Sequence, residues 1–280
     1  LLSLSGIMFI CLANDGVDMK LLSLETSIKT CREVFTFGKD YANGLVLPPH
    51  QHEWCQCLYA ITGVVTVITK AGSWVVPPGL ATWIPNGIDH EVHMNGPVTT
   101  RSAYVAPTTV ATHALLTHSA VITVSPLLHE LLTVAVDFPA EYPLGGRQEH
   151  IMKLIVEEIK EMSELPLNAP LPAEPKMAKL CRDILDAPSI NTDLDTLAHK
   201  MGMSRRSFTR LFRVQTGMSF GEWRQQACLL SALTQLSLGK SVTEVALELG
   251  YSNTSAFTSS FQRTMGVPPS QYLKLHQPLK

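Results

Sequence analysis

The sequence predicts an α+β protein in two parts. The N-terminal part is an antiparallel β-barrel with helices, and the C-terminal part is all-α with two helix-turn-helix units. Three observations predict this. Residues 33–105 are short runs of valine, isoleucine and threonine broken by glycine, proline and asparagine, the pattern of a small barrel or jelly roll. Residues 194–217 and 242–266 are one helical pattern written twice. Between these regions, residues 165–175 (LPLNAPLPAEP) carry four prolines in eleven positions and read as a stiff linker. A length of 280 residues is enough for two domains, each with its own core.

A composition of 45% apolar and 16% charged residues is that of a globular protein. The net charge of −2 hides an asymmetry: residues 1–175 sum to −8 and residues 176–280 to +6. Only the C-terminal half is therefore expected to meet a polyanion. Six cysteines (positions 11, 31, 55, 57, 181 and 228) show no CxxC spacing, which fits reduced thiols and a cytoplasmic location. Residues 1–13 (LLSLSGIMFICLA) form an apolar run too short to span a bilayer, with no positive charge before it. It reads either as a signal peptide or as translated sequence upstream of a start at Met19. The second reading is adopted, so residues 1–18 are expected to be a non-native or disordered leader, and no membrane partner is expected.

The first domain is expected over residues 19–164. Its apolar runs fall at 44–47, 57–61, 64–68, 74–76, 81–84 and 100–105. Two spacings stand out: Gly44-x5-His50-x-His52-x3-Gln56-x6-Gly63, and Gly79-x5-Pro85-x-Gly87-x2-His90. They resemble the two signature motifs of the cupin family. The resemblance implies a divalent metal held by His50, His52 and His90, with Gln56 where glutamate is usual and Met94 where asparagine is usual. The residues themselves support the geometry. His50, His52 and Gln56 share parity, so an uninterrupted strand points all three inward, whereas Cys55 and Cys57 point the other way.

Three neutral imidazoles can hold Zn, Ni or Fe(II), but an amide in place of a carboxylate removes a charged oxygen ligand. The alternative is a metal-free pocket in which His50, His52, Gln56 and His90 hydrogen-bond a small-molecule effector. A metal-dependent cupin enzyme fused to a DNA-binding module is the rival function. No second carboxylate or base accompanies the histidines, because Glu53 has the wrong parity and Gln56 cannot act as a base, so a non-enzyme is expected. Trp54, Tyr59, Trp74 and Trp83 are expected in the core or at a dimer surface.

After Ala106 the β pattern fades. Residues 126–135 read as a helix with Ser125 as cap and proline at its first position. Gly145-Gly146 breaks the chain. Residues 147–164 then make an amphipathic helix with Ile151, Leu154, Ile155, Ile159 and Met162 on one seam, either packed on the barrel or forming a homodimer contact.

The second domain is expected over residues 176–280, opening with a helix at 176–185 that Ala187-Pro188 stops. The two copies that follow each have a small residue where helices cross (Ala198, Ala246) and a turn glycine four positions on (Gly202, Gly250). Each then has a polar helix opener (Ser204, Asn253), a core phenylalanine (Phe212, Phe261) and a closing glycine (Gly217, Gly266). The offset is 48 before the turn and 49 after it, so the second turn is one residue longer. Steeply crossing helices need the small side chain, and the tight turn needs a left-handed backbone.

The domain resembles the AraC/XylS family of transcription regulators, most specifically in residues 250–272 (GYSNTSAFTSSFQRTMGVPPSQY). The resemblance implies that both units enter successive major grooves on one side of double-stranded DNA. A connecting helix over 219–238, about 20 residues or ~30 Å, suits grooves ~34–36 Å apart. In the first recognition helix, 204–215, Phe208, Leu211 and Phe212 are expected to be buried. Ser204, Arg205, Arg206, Thr209, Arg210 and Arg213 are then left for DNA. In the second, 254–265, the outward set with its cap is Asn253, Thr254, Ser255, Thr258, Ser259, Gln262 and Arg263. Four arginines against one predict that the first helix dominates binding. Trp223, Leu230 and Leu233 are expected in the core, and Arg224 on a phosphate. The expected function is a cytoplasmic, effector-responsive transcription factor, activator or repressor, acting as a homodimer with RNA polymerase as a partner.

Overall fold

The computed structural model describes residues 30–111 and 117–275. The expected leader, residues 1–18, lies outside them. Nine strands form one antiparallel sheet: β1 (Val34–Tyr41), β2 (Val46–His50), β3 (Cys55–Thr69), β4 (Gly72–Val76), β5 (Leu80–Ile84), β6 (His90–Val105), β7 (Ala120–Thr123), β8 (Glu164–Leu165) and β9 (Asn168–Pro170). β3 and β6 are its spine and pair along their lengths, with the register broken between Ala60 and Val64. Extra residues at such a break bend a strand. The spine therefore serves two half-sheets. One half carries β1 on β6 and β5 on β3, continued by β7 and β8. The other carries β2 on β6 and β4 on β3, continued by β9.

The α+β class and the antiparallel N-terminal domain are as expected. The closed barrel is not what the pairing gives: among the described residues the hydrogen-bonded path runs from β1 to β8 without closing. Side-chain parity sorts the core into two layers. Leu58, Ile84, Val92 and Met94 face inward. Cys57, Tyr59, Trp83, Ala103 and Val105 face outward, against Leu128 and Leu132 of α2 (Pro126–Ala135) and Ile155 and Ile159 of α3 (Arg147–Lys160). A short helix, α1 (Pro107–Val110), follows β6. Trp74 and Trp83 are buried, in keeping with core roles.

The helix expected over 147–164 ends at Lys160, because Glu164 and Leu165 join the sheet as β8. Its expected seam is mostly used within the chain. Ile155, Ile159 and Met162 are buried with Met152 and Val156, while Leu154 remains 41% exposed. The linker over 165–175 is not a free spacer. Leu167, Ala169 and Leu171 are buried at alternate positions, and β9 pairs with β4 from Gly72↔Pro170 to Trp74↔Asn168. Proline is tolerated there because β9 is an edge strand, where a missing N–H costs no ladder bond.

The C-terminal region is helical: α4 (Pro175–Asp186), α5 (Leu194–Lys200), α6 (Arg205–Thr216), α7 (Phe220–Ser237), α8 (Val242–Glu248), α9 (Thr254–Met265) and α10 (Pro269–Leu275). α5–α6 and α8–α9 are the two helix-turn-helix units, and α7 connects them. Ala198 and Ala246 are buried at the crossings. Gly202 and Gly250 have φ of 65° and 78°, the left-handed backbone the turns require. Ser204 and Asn253 cap α6 and α9, accepting from Ser207 N and Ala256 N. Phe212, Phe261, Trp223, Leu230 and Leu233 are all buried.

Candidate nucleic-acid interface and ligand pocket

α6 presents its side chains as the helical period dictates. Phe208 and Phe212 turn inward onto Phe220 and Trp223, with ring centroids 5.5–5.9 Å apart. Arg205, Arg206, Arg210 and Arg213 are all exposed. The structure qualifies three expected DNA residues. Arg205 is paired with Asp195 of α5 at 2.8 Å, so it must exchange that partner to grip DNA. The Thr209 hydroxyl donates to its own helix at Arg205 O, 2.9 Å away. The Ser204 hydroxyl donates to Ser207 Oγ while accepting the capping N–H. Ser207 is itself exposed on the first turn, and sequence reasoning passed over it.

On α9, Ser255, Ser259, Gln262 and Arg263 are exposed, while Thr254 and Thr258 are half-buried. Asn253 is exposed but holds Ala256 N through Oδ1 at 2.8 Å. Arg224, expected on a phosphate, is half-buried: its Nη1 donates to Thr192 O at 2.7 Å and its guanidinium lies 5.9 Å from the Phe220 ring centroid. It ties α7 to the loop before α5. Cys228, for which sequence offered no role, is buried, and burial pushes its thiol up to about 12.

α7 spans 18 residues, ~27 Å at 1.5 Å per residue. It also docks on the sheet. Trp223 Nε1 donates to Pro170 O at 2.8 Å, and Gln226 Nε2 donates to Pro166 O. A cavity of about 500 Å³ lies beside this contact, lined by Thr66, His93, Arg182, Leu230 and Gln235 among others.

On the inward side of the sheet, with the parity of Val92 and Met94, three histidines converge. His50 ends β2, His52 follows it, and His90 opens β6. Their ring centroids are 4.3 Å (His50–His90), 5.1 Å (His52–His90) and 6.4 Å (His50–His52) apart. Gln56, on β3, reaches the same place, with Gln56 Oε1 3.1 Å from His52 Nε2. All four expected pocket residues are therefore brought together. Ser102 and Tyr104 of β6, not singled out from sequence, complete the group: Gln56 Nε2 lies 3.1 Å from Ser102 Oγ and 2.9 Å from Tyr104 OH. Cross-strand register is the signal that finds them, since Gln56 pairs with Tyr104.

Burial lowers the pKa of His52, and that of His90 to about 3, with charge repulsion from His50 as the next cause for His90. Both are neutral at physiological pH. A cavity of about 390 Å³ opens at the mouth, between Gln51–Glu53 and Asn86–Gly87. Among the described residues, no three His, Cys, Asp or Glu side chains are placed to hold a metal ion between them.

A sheet domain with an inward polar pocket, docked onto paired helix-turn-helix units, defines a ligand-binding regulator of transcription. Residues 35–133 match the AraC-like ligand binding domain, and residues 197–275 match a helix-turn-helix domain. The chain belongs to the AraC family of transcription regulators. The HTH-type transcriptional regulator NimR of Escherichia coli is 29% identical over 229 residues, covering 82% of this chain and 83% of that protein. The regulatory protein SoxS of Salmonella typhimurium is 32% identical over 81 residues, 29% of this chain and 76% of that protein. Among solved structures, ToxT of Vibrio cholerae with bound unsaturated fatty acid aligns over 88% of this chain and 96% of its own, at 12% identity and TM-score 0.37, a likeness too slight to carry argument. These relatives are regulators, and the rival enzyme reading is set aside. No helix among the described residues is long and apolar enough to cross a membrane.

Proposed function

We propose that this regulator reads DNA through Ser204, Arg205, Arg206, Thr209, Arg210 and Arg213 of the first unit and through Asn253, Thr254, Ser255, Thr258, Ser259, Gln262 and Arg263 of the second. A small effector bound at His50, His52, Gln56 and His90 biases how the two units are presented. The observation that carries the reading is the connecting helix itself. α7 packs on the first recognition helix through Trp223 against Phe212 and on α8 of the second unit, and it is hydrogen-bonded to the sensor sheet through Trp223 and Gln226. An effector alters DNA binding only by favouring one arrangement of that joint over another.

The domain limits proposed are a sensor over 19–164 and a DNA-binding domain over 176–280, with 165–175 as a docked strap between them. The protein acts in the cytoplasm as a homodimer through the outer side of α2 and α3, where Leu127, Val134 and Leu154 stay exposed. It contacts RNA polymerase at its promoters.

The test is a mobility-shift titration on the natural operator. Arg210→Ala is expected to weaken binding by about 1–3 kcal/mol, roughly 5- to 150-fold, and to flatten the salt dependence if its contact is to phosphate. Gln262→Ala should cost less. A costlier Gln262→Ala would reverse the ranking of the two helices, and unchanged binding by both variants would remove the interface assigned here.

A further inference from the structure

The cupin resemblance implies a metal at the histidines, yet the side chains around them answer a different chemistry. We infer that this pocket has exchanged a metal ion for a ligand that bears O–H or N–H groups and no negative charge. In this arrangement Gln56 caps His52, and the Nε2 atom of His90 stands as an acceptor. The inference rests on reading the N-terminal domain as the effector domain.

Each imidazole is locked in the same tautomer. Nδ1 of His50 lies 2.8 Å from Pro48 O, Nδ1 of His52 lies 2.5 Å from Trp54 O, and Nδ1 of His90 lies 2.8 Å from Ile88 O. A carbonyl only accepts, so each Nδ1 carries a proton, and the neutral rings of His52 and His90 each turn an Nε2 lone pair outward. A metal-ligating histidine is oriented by the same kind of bond, so the tautomers alone do not separate metal from ligand.

Gln56 separates them. With Nδ1–H of His52 committed to Trp54, a neutral His52 needs a donor at Nε2. The two ends of an amide have the same shape, and the surrounding bonds decide its orientation. Turned so that its N–H₂ donates to His52 Nε2, Gln56 accepts from the hydroxyls of Ser102 and Tyr104 through its oxygen, and every one of these groups is satisfied. A metal on His52 would have to displace that amide and would gain no carboxylate in return. The spacing agrees, since no three His, Cys, Asp or Glu among the described residues are placed around a common ion.

What remains open is His90 Nε2. The side chain is 1% exposed, and this atom has no hydrogen-bond partner in the protein. A buried acceptor left unpaired is destabilising, and a donor group on a ligand removes that cost. The exposed Glu53 at the mouth disfavours an anion. The ligand class is therefore a hydrogen-bond donor without negative charge.

The experiment uses the full chain labelled with ¹⁵N-histidine, and two-bond ¹H–¹⁵N spectra report each ring's tautomer. Nε2 of His52 and His90 is expected unprotonated at neutral pH. Phenol, the donor probe, should shift the His90 Nε2 resonance, while anisole, its O-methyl counterpart, should not. Zinc added and then dialysed away should leave substoichiometric metal on the native chain. Gln56→Glu should bind zinc roughly ten- to hundredfold more tightly. Stoichiometric zinc on the native chain, a protonated His90 Nε2, no response to phenol, or equal responses to phenol and anisole would each overturn the inference. So would a folded Gln56→Glu variant that gains no zinc. The native-chain measurements stand even if that variant fails to fold. None of them involves DNA, so failure of the regulator reading would show separately, as loss of arginine-dependent operator binding.

Discussion

His90 sits among His50 and His52 rather than beside a carboxylate, and this sets its response to acid. Burial, then repulsion from His50, lowers its pKa from 6.5 to about 3. The unfolded chain therefore binds a proton that the folded chain refuses. The stabilising contribution is complete above about pH 6.5 and is lost progressively as pH falls toward 3. By pH 5 the loss from this one group is about 2 kcal/mol, at ~1.4 kcal/mol per pH unit below the unfolded value. Chemical denaturation of the native chain at pH 7.5 and pH 5 should show this loss, and His90→Gln should show a smaller one. An equal loss in both proteins would place the acid sensitivity elsewhere. The pocket's members were legible as residues because the parity of His50, His52 and Gln56 is a local property of an extended chain. Ser102 and Tyr104 were not, because their approach to Gln56 depends on pairing across 46 and 48 residues.

At the level of helices and turns, the duplication was readable almost residue by residue. The one-residue difference in offset appears as four residues between α5 and α6 and five between α8 and α9. Two further signals were present and unread. Ser219 with Glu222 and Ser241 with Glu244 form reciprocal capping boxes that open α7 and α8. The second turn also has a constraint beyond its own backbone. Gly250 has φ of 78°, and a Cβ there would meet Asn191 Nδ2 and Ser189 Oγ, both at 2.8 Å. Those side chains belong to the loop before α5, and Asn191 donates to Gly250 O. Gly250→Ala is therefore expected to cost ~1–2 kcal/mol for the left-handed conformation, and more for the contact. Gly202→Ala has open space at its Cβ and should cost the conformational part alone. Thermal denaturation of the two variants checks this; a larger loss at Gly202 would count against the role given to the Asn191 loop.

Across the whole molecule, the decisive contact is the one between the sheet and α7. Trp74, Leu167, Ala169 and Leu171 belong to the same buried cluster as Trp223, Leu230 and Phe212, so the sensor and the DNA-binding helices share a core. A shared core couples unfolding as well as signalling. The full chain is expected to unfold in one calorimetric transition, and Trp223→Ala, which removes both a buried ring and the bond to Pro170, should split it into two or lower its midpoint sharply. Two resolved transitions in the native chain would show the joint to be weak.

The helix-turn-helix repeats, the basic face of α6 and the inward histidines all follow from periodicity, parity and side-chain chemistry. These act over a few residues and leave their mark in local order. The open edge of the sheet, the docking of residues 164–165 and 168–170 as strands, the inward use of the α3 seam and the bond of Arg224 to Thr192 do not. Each depends on which surfaces meet across tens of residues. A proline-rich stretch reads as a spacer until an unpaired sheet edge stands beside it, and an arginine such as Arg224 reads as a phosphate contact until a carbonyl of the same chain lies closer.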